Sequence, residues 1–257
     1  MTEGYILGTR VVVTTYEQVC DRLGEWIAAA SGGYIVAANV HVVMTGVWQQ
    51  DFQAVVNGAR MVTADGMPLV WGLRLLGCRE AQRVYGPQLM LAVCDRAVRE
   101  GWRIFLYGSE PWVLERLQTQ LETWFPGLKI VGSYAPPFRP LTPAEEAADR
   151  QRIRASGADV VFVSLGCPKQ ERWMARQSPF LPAVLLGVGA AFNFHSGVVA
   201  QAPPWLMALG LEWLFRLLQE PRRLWQRYLI NNPTFIVLFC GQLLGHTFHR
   251  WRRHHPH

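Results

Sequence analysis

The stretch D-V-V-F-V-S-L-G-C-P-K-Q-E, from Asp159 to Glu171, sets the fold class. Val160 to Val163, with Leu165 after Ser164, read as a buried strand of mostly β-branched and aromatic residues. The run stops at Gly166, and Pro168 opens a helix whose first turn carries Lys169, Gln170 and Glu171. Strand, glycine, then proline at a helix start is how an α/β protein aims backbone N–H groups at an anion. A plain solvated strand-to-helix turn would use the same residues. Three differently competent polar side chains behind a Gly-x-Pro brake favour a site.

Outward from this stretch the chain alternates. Helical spacing covers Thr15 to Ala30, His41 to Val56, Pro87 to Arg99, Pro111 to Trp124 and Thr142 to Ala155, and a further helix starts at Pro68. Short apolar strands fall at Tyr34–Ala38, Arg60–Ala64, Arg103–Tyr107, Leu128–Gly132 and Ala183–Val188. Such alternation predicts an α/β fold with a mostly parallel, Rossmann-like sheet flanked by helices. Ligands then bind beyond the carboxyl ends of the strands, at Asn39, Asp65-Gly66, Gly108-Ser109, Gly166 to Glu171 and Gly187 to Asn193.

Composition bounds the rest. The 257 residues are 50% apolar and 17% charged, which excludes disorder and leaves ample core. Five scattered cysteines lack a C-x-x-C pair or metal-ligand spacing, as in a reducing compartment. The N-terminus has no apolar signal core, so the bulk is expected in the cytosol. The net charge of +6 is concentrated from Gln201 onward, where seven arginines face only Glu212 and Glu220. That end also carries Trp205, Trp213, Trp225 and Trp251, a composition suited to an anionic surface, membrane or nucleic acid.

The basic end reads as an amphipathic helical appendage, residues 201–257, beyond a catalytic domain of residues 1–200. From Pro204 to Gln219 an apolar stripe of Leu206, Leu209, Trp213, Leu214 and Leu217 predicts one helix. Glu212–Arg216 and Arg216–Glu220 have i,i+4 spacing, worth about 0.3–0.5 kcal/mol each when exposed. Pro221 breaks or kinks this helix. Arg216, Arg223 and Arg227 then share one face, a clamp for phosphate or anionic lipid, helped by Trp225, Tyr228 and the terminal R-W-R-R-H-H. The run Thr234–Phe248, interrupted by Gln242, Gly245 and His246, is too short and polar to span a bilayer.

Asp65 is the best catalytic candidate. It ends a strand beside Gly66, where a carboxylate can take a proton from a substrate hydroxyl; capping the helix at Pro68 is the competing role. His41 and His195 are lesser bases. The run G-V-G-A-A-F-N from Gly187 to Asn193 lets backbone approach a ligand closely, but lacks the third glycine of a dinucleotide fingerprint. With Gly166 to Glu171 it outlines a nucleotide or sugar-phosphate pocket. No Asp-x-Asp pair or Walker lysine occurs, so arginines and helix ends carry any diphosphate charge and no metal or other cofactor is expected.

These residues carry a resemblance. A-N-V-H (Ala38–His41), A-D-G-M-P-L-V-W (Ala64–Trp71), R-V-Y-G (Arg83–Gly86) and F-L-Y-G-S (Phe105–Ser109) stand in order. L-G-C-P-K-Q-E-x-W (Leu165–Trp173), G-V-G-A-A-F (Gly187–Phe192) and A-P-P-W…G-L-E-W-L-F-R-L…E-P-R-R (Ala202–Arg223) follow. The chain resembles the WecG/TagA/CpsF glycosyltransferases, glycosyltransferase family 26. The resemblance implies inverting, metal-independent transfer from a UDP-sugar to a polyprenyl-diphosphate-linked saccharide, by a peripheral enzyme at the cytoplasmic membrane face.

It also implies that Asp65 is the base and that Arg216 and Arg223 meet diphosphate and membrane; Arg227 joins them by its spacing on the same face. Asn39, Gly66, Arg83, Gly86, Tyr107, Gly108, Lys169, Gln170, Glu171, Gly187, Gly189, Ala190 and Asn193 then line the substrate pocket. A homo-oligomer is compatible with this reading. Two departures, Ala37 where threonine is frequent and Asn193 where aspartate is, touch the pocket. The A-N-V-H variant is similar to exopolysaccharide members, which favours a glucose-type or uronic donor over N-acetylmannosamine. The rival from another class is a non-catalytic nucleotide- or nucleic-acid-binding protein using the basic end.

Overall fold

The computed structural model describes residues 2–254, with side chains for 2–246. The terminal R-W-R-R-H-H run, Trp251 included, therefore lies outside the described side chains.

The chain opens with a hairpin, β1 (Glu3–Ile6) and β2 (Thr9–Val12), then α1 (Tyr16–Ala28), β3 (Gly33–Ala38), α2 (Val40–Trp48), α3 (Gln50–Asn57), β4 (Met61–Ala64) and α4 (Met67–Leu75). Next come α5 (Gly86–Glu100), β5 (Arg103–Gly108), α6 (Pro111–Trp124), β6 (Lys129–Tyr134), α7 (Pro143–Ser156), β7 (Val160–Ser164) and α8 (Lys169–Gln177). After a 3-10 turn at Ser178–Phe180 follow β8 (Val184–Gly187), α9 (Ala191–His195), α10 (Pro204–Ala208), α11 (Glu212–Gln219) and α12 (Pro221–His254).

The eight strands form one sheet in the order β1-β2-β4-β3-β8-β7-β5-β6. Every pairing is parallel except the β1–β2 hairpin. Successive strand residues serve opposite faces. Val36, Tyr107, Val161 and Leu185 pack under α2, α4 and α8, whereas Ile35, Leu106, Phe162 and Leu186 pack under α1, α5 and α6. Thr15 and Thr142 close reciprocal capping boxes with Gln18 and Glu145, fixing where α1 and α7 begin.

The expected single helix His41–Val56 is two, because Gln49 is extended and Arg172 ties Gln49 and Asp51 to α8. The expected single helix Pro204–Gln219 is also two. Gly210 at φ +70° ends the first, and a Cβ there would meet the Trp71 ring at 2.6 Å, so the chain turns tightly over α4. Neither i,i+4 pair forms: Glu212 reaches Arg83 and Tyr85, and Glu220 pairs with Arg223.

Pro221 starts a new helix, α12, instead of kinking an old one. Its 26 residues Pro221–His246 are long and apolar enough in composition to cross a membrane, which corrects the expectation of a run too short to do so. In this structure one face of α12 is docked instead. Leu224, Tyr228, Phe235 and Phe239 are buried against the domain, and Gln242 bonds the β1–β2 hairpin at Tyr5 O and Leu7 N. Leu229, Ile230, Val237 and Leu244 remain exposed.

Candidate active site

The carboxyl ends of β3, β4, β5, β7 and β8 open into a cleft of about 590 Å³, roofed by the tail arginines. Asp65 follows β4 directly, and its own N–H is held by Ala38 O at 2.8 Å. Its Oδ1 accepts the Gly86 N–H at 2.6 Å, and Asn39 Nδ2 lies 3.4 Å from Oδ2. Asn39 caps α2 by accepting from His41 N and Val42 N, so its amide is fixed by the fold. Asp65 does not cap α4, whose cap position is Gly66; the N–H it accepts is instead the first of α5.

Burial is the largest influence on Asp65 and pushes its carboxyl above the ordinary range. Arg83 and the Gly86 N–H oppose this, and Glu212 adds to it. The carboxylate is therefore a stronger base than one in water. Arg83 donates through Nε to the Asp65 carbonyl and through Nη2 to Glu212, whose other oxygen accepts the Tyr85 hydroxyl at 2.8 Å. Arg83 and Glu212 expose only 16% and 15% of their side chains, so this is a buried pair joining tail to base loop.

The opposite wall is the stretch after β7. Gln170 Oε1 accepts the Gly189 N–H at 3.2 Å, Gln170 Nε2 donates to Glu171 Oε1 at 3.2 Å, and Ser164 Oγ donates to Gly189 O at 2.6 Å. Gln170 thus holds the glycine loop in shape as well as facing the cleft. A Cβ at Gly187 would sit 2.6 Å from Gln170 Nε2 and 2.7 Å from Met174 Cε. Gly187→Ala should consequently lose about 1–3 kcal/mol by overpacking, read as a thermal midpoint several degrees lower. An unchanged midpoint would contradict that packing.

Glu171 is not a solvated first-turn acid. It is 1% exposed, its Oε2 has no partner among the described residues, and burial pushes its carboxyl up. Ala190 and Asn193 line the same cleft, where Ser109 Oγ lies 3.4 Å from Asn193 Oδ1. Gly108 packs against the Ser164 backbone and, like Gly86, is not itself in the lining. Three arginines close the roof. Arg223 pairs with Glu220, but Nε of Arg216 and of Arg227 is buried without a partner among the described residues. Burial, then Arg216 and Arg223 nearby, lowers the Arg227 pKa, which marks unneutralised positive charge. Arg216 and Arg227 face inward, unlike the exposed basic stripe of a nucleic-acid binder, whereas Arg223 is 60% exposed at the rim.

Tyr107, Lys169 and the histidine candidates fall elsewhere. Tyr107 is fully buried on the other side of the strand, donating to Asp149 at 2.6 Å and stacked 4.1 Å from Trp173. Lys169 turns toward Phe138 O and lines a separate cavity of about 230 Å³ with Tyr107 and Trp173. Both lie outside the cleft. His195 is a core histidine, its Nε2 2.9 Å from Pro87 O. His41 is held neutral, its pKa lowered to about 4 by burial and then Arg227, while Nδ1 accepts from Asn231 at 3.1 Å. Sequence reading missed Glu212 and Tyr85 as site residues; the signal was a lone acid placed directly after a glycine turn in a basic tail.

A second cavity meets the first. An apolar groove of about 540 Å³ runs between α4, the α10–α11 turn and α12, and it shares Asn39, Asp65, Glu212, Arg216 and Arg227 with the cleft. Among the described residues, no three His, Cys, Asp or Glu side chains converge as a metal site would require.

Comparison with known proteins agrees with this geometry. The profile of the Glycosyl transferase WecG/TagA/CpsF family matches residues 5–248. The N-acetylglucosaminyldiphosphoundecaprenol N-acetyl-beta-D-mannosaminyltransferase of Bacillus spizizenii is 33% identical over 207 residues, covering 80% of this chain and 78% of its own length. The chain thus belongs to the WecG/TagA/CpsF family and is a glycosyltransferase, not a non-catalytic binding protein.

Proposed function

We propose that the protein transfers a hexosyl group from a UDP-sugar to a polyprenyl-diphosphate-linked saccharide, with inversion and without a metal, in envelope or exopolysaccharide assembly. The observation that carries this reading is the position of Asp65 at the junction of a polar cleft and an apolar groove. A base there can meet an activated sugar from one side and a lipid-linked hydroxyl from the other. Asp65 takes the hydroxyl proton as the oxygen attacks the donor anomeric carbon; the bond from that carbon to UDP breaks, and UDP leaves with the electron pair. Arg216 and Arg227, which rest on the Phe194 and Tyr228 rings and whose Nε atoms have no hydrogen-bond partner among the described residues, neutralise the leaving diphosphate. The acceptor class is supported by the relative's name and by the groove.

The test is a screen of UDP-sugars, UDP-glucose, UDP-glucuronate and UDP-N-acetylmannosamine included, against a lipid-diphosphate-linked sugar, with linkage analysis of the product. An EDTA arm should leave the rate unchanged; a loss restored by Mg²⁺ would refute the arginine assignment. Absence of transfer from every UDP-sugar would refute the donor class.

The membrane part of the reading places α12 on the cytoplasmic surface, lying and not spanning, because its inner face is occupied by the domain. Its outward Leu229 and Ile230, 58% and 55% exposed, would enter the bilayer boundary. The Leu229→Glu/Ile230→Glu double variant should detach from anionic liposomes in co-sedimentation while keeping its thermal midpoint. Undiminished sedimentation would remove this face from the membrane contact.

A further inference from the structure

The groove has a wall chemistry that the transfer reaction itself does not require. Its inner end holds Asp65, Arg216 and Arg227, and beyond Asn232 the lining residues of α12 are Phe235, Ile236, Phe239, Cys240 and Leu243. Facing them stand Trp71 and Leu75 of α4 and Leu209 of the α10–α11 turn. A saccharide seated there would lose its hydration with few hydrogen-bonding partners to replace it. Several of these walls are also unpartnered: Trp71 is 42% exposed, Leu209 58%, Ile236 60% and Leu75 65%. Apolar surface gathered into a concave strip marks a binding site.

Length points the same way. From Arg227 to Leu243 the groove follows α12 for a distance of about 24 Å at 1.5 Å per residue. The helices touch beneath it, since a Cβ at Gly72 would lie 3.0 Å from the Phe239 ring. The strip thus has a floor, two walls, a cationic inner end and an open outer side. That shape complements a molecule with an anionic head and a long hydrocarbon tail.

We propose that this groove seats the head-proximal isoprenoid units of the lipid acceptor, with its diphosphate on the groove side of Arg216 and Arg227, which face the donor diphosphate from the cleft side, and its saccharide hydroxyl at Asp65. The inference rests on the acceptor class proposed above. It adds that the enzyme recognises the lipid itself, beyond the sugar and diphosphate. Charge complementarity at one end and continuity with the cleft set this occupant apart from a second copy of the chain, which would bring no anion to the arginines. The neighbouring exposed residues Val237 and Leu244 are outside the groove lining, so the groove and the outward helix face are separable.

Calorimetry on the full chain in detergent-free buffer tests this with farnesyl diphosphate, kept below its aggregation threshold, against inorganic diphosphate. Farnesyl diphosphate should bind at least tenfold more tightly. Leu75→Glu and Ile236→Glu, both at exposed positions that the core does not need, should abolish that advantage and leave inorganic diphosphate affinity unchanged. Val237→Glu, one residue away on the outer face, should retain it. Equal affinities for the two probes would overturn the proposal. So would equal losses in Ile236→Glu and Val237→Glu, or a dimer in sedimentation that Ile236→Glu dissolves.

A kinetic arm separates this inference from the function it rests on. With a polyprenyl-linked acceptor, Ile236→Glu should raise KM at least tenfold at unchanged kcat, and with a short-alkyl acceptor both constants should stay put. Transfer to both acceptors with one common KM refutes the groove and leaves the function standing. Tight farnesyl diphosphate binding without transfer to any lipid-linked saccharide supports the groove and refutes the acceptor reading.

Discussion

Asp65→Ala is expected to lower the transfer rate by about 10²–10⁴-fold while UDP binding stays nearly intact. The split follows from where the carboxylate sits. It faces the junction of the two cavities, and its bonds are to the Gly86 N–H and the Asn39 amide. The pH profile of kcat/KM should carry the same signature. Asp65 works ionised, and burial raises its pKa, so activity should rise with pH through a limb displaced above the ordinary carboxylate value of about 4. Glu212→Gln should move that limb to lower pH. It removes a negative neighbour that raises the Asp65 pKa, and it frees Arg83, whose positive charge lowers it. An acid limb that stays fixed in Glu212→Gln, or retained turnover in Asp65→Ala, would remove Asp65 from the base role.

Arg227→Met and Arg216→Met should each cost about 10²–10³-fold in kcat, the usual effect of removing one charge-stabilising donor. Their stability should move the other way. Both Nε atoms are buried without partners among the described residues, and Arg227 is crowded by Arg216 and Arg223. Replacing such a cation by an apolar side chain of similar length relieves repulsion and desolvation, so the thermal midpoint should hold or rise. UDP should weaken its grip in both variants. A variant that loses stability together with activity would identify a structural arginine instead of one waiting for an anion.

Much of this architecture could be read from residue patterns. The β7–α8 stretch gave away a parallel sheet because its strand is apolar on both faces and ends at a glycine. That Asp65 would line the cleft was legible for a related reason: ligand sites follow strand ends. Tyr107 shows where that logic stops. In a strand buried on both faces, period two says that neighbours point apart but not which of them points at the cleft. Its hydroxyl belongs to Asp149, 42 positions away, on the side of α7 and α8.

The tail was misread for a different reason. Glu212 and Arg216 have the spacing of a local pair, yet Arg83, 129 positions away, takes the carboxylate. A buried long-range partner outweighs an exposed local one, and spacing cannot reveal it. The β1–β2 hairpin left a fainter trace, four residues of alternation before Leu7-Gly8, a turn with both residues at positive φ.

The grip of Gln242 on that hairpin bears on how the molecule is made. Its two bonds join residues 235 and 237 positions apart, so the β1–β2 hairpin is fastened by a helix far along the chain. Loop-closure entropy makes contacts of such separation late ones. The hairpin edge therefore stays uncovered until α12 has been made and docked. Gln242→Ala, far from the chemistry, should accordingly lower the yield of folded enzyme more than its turnover.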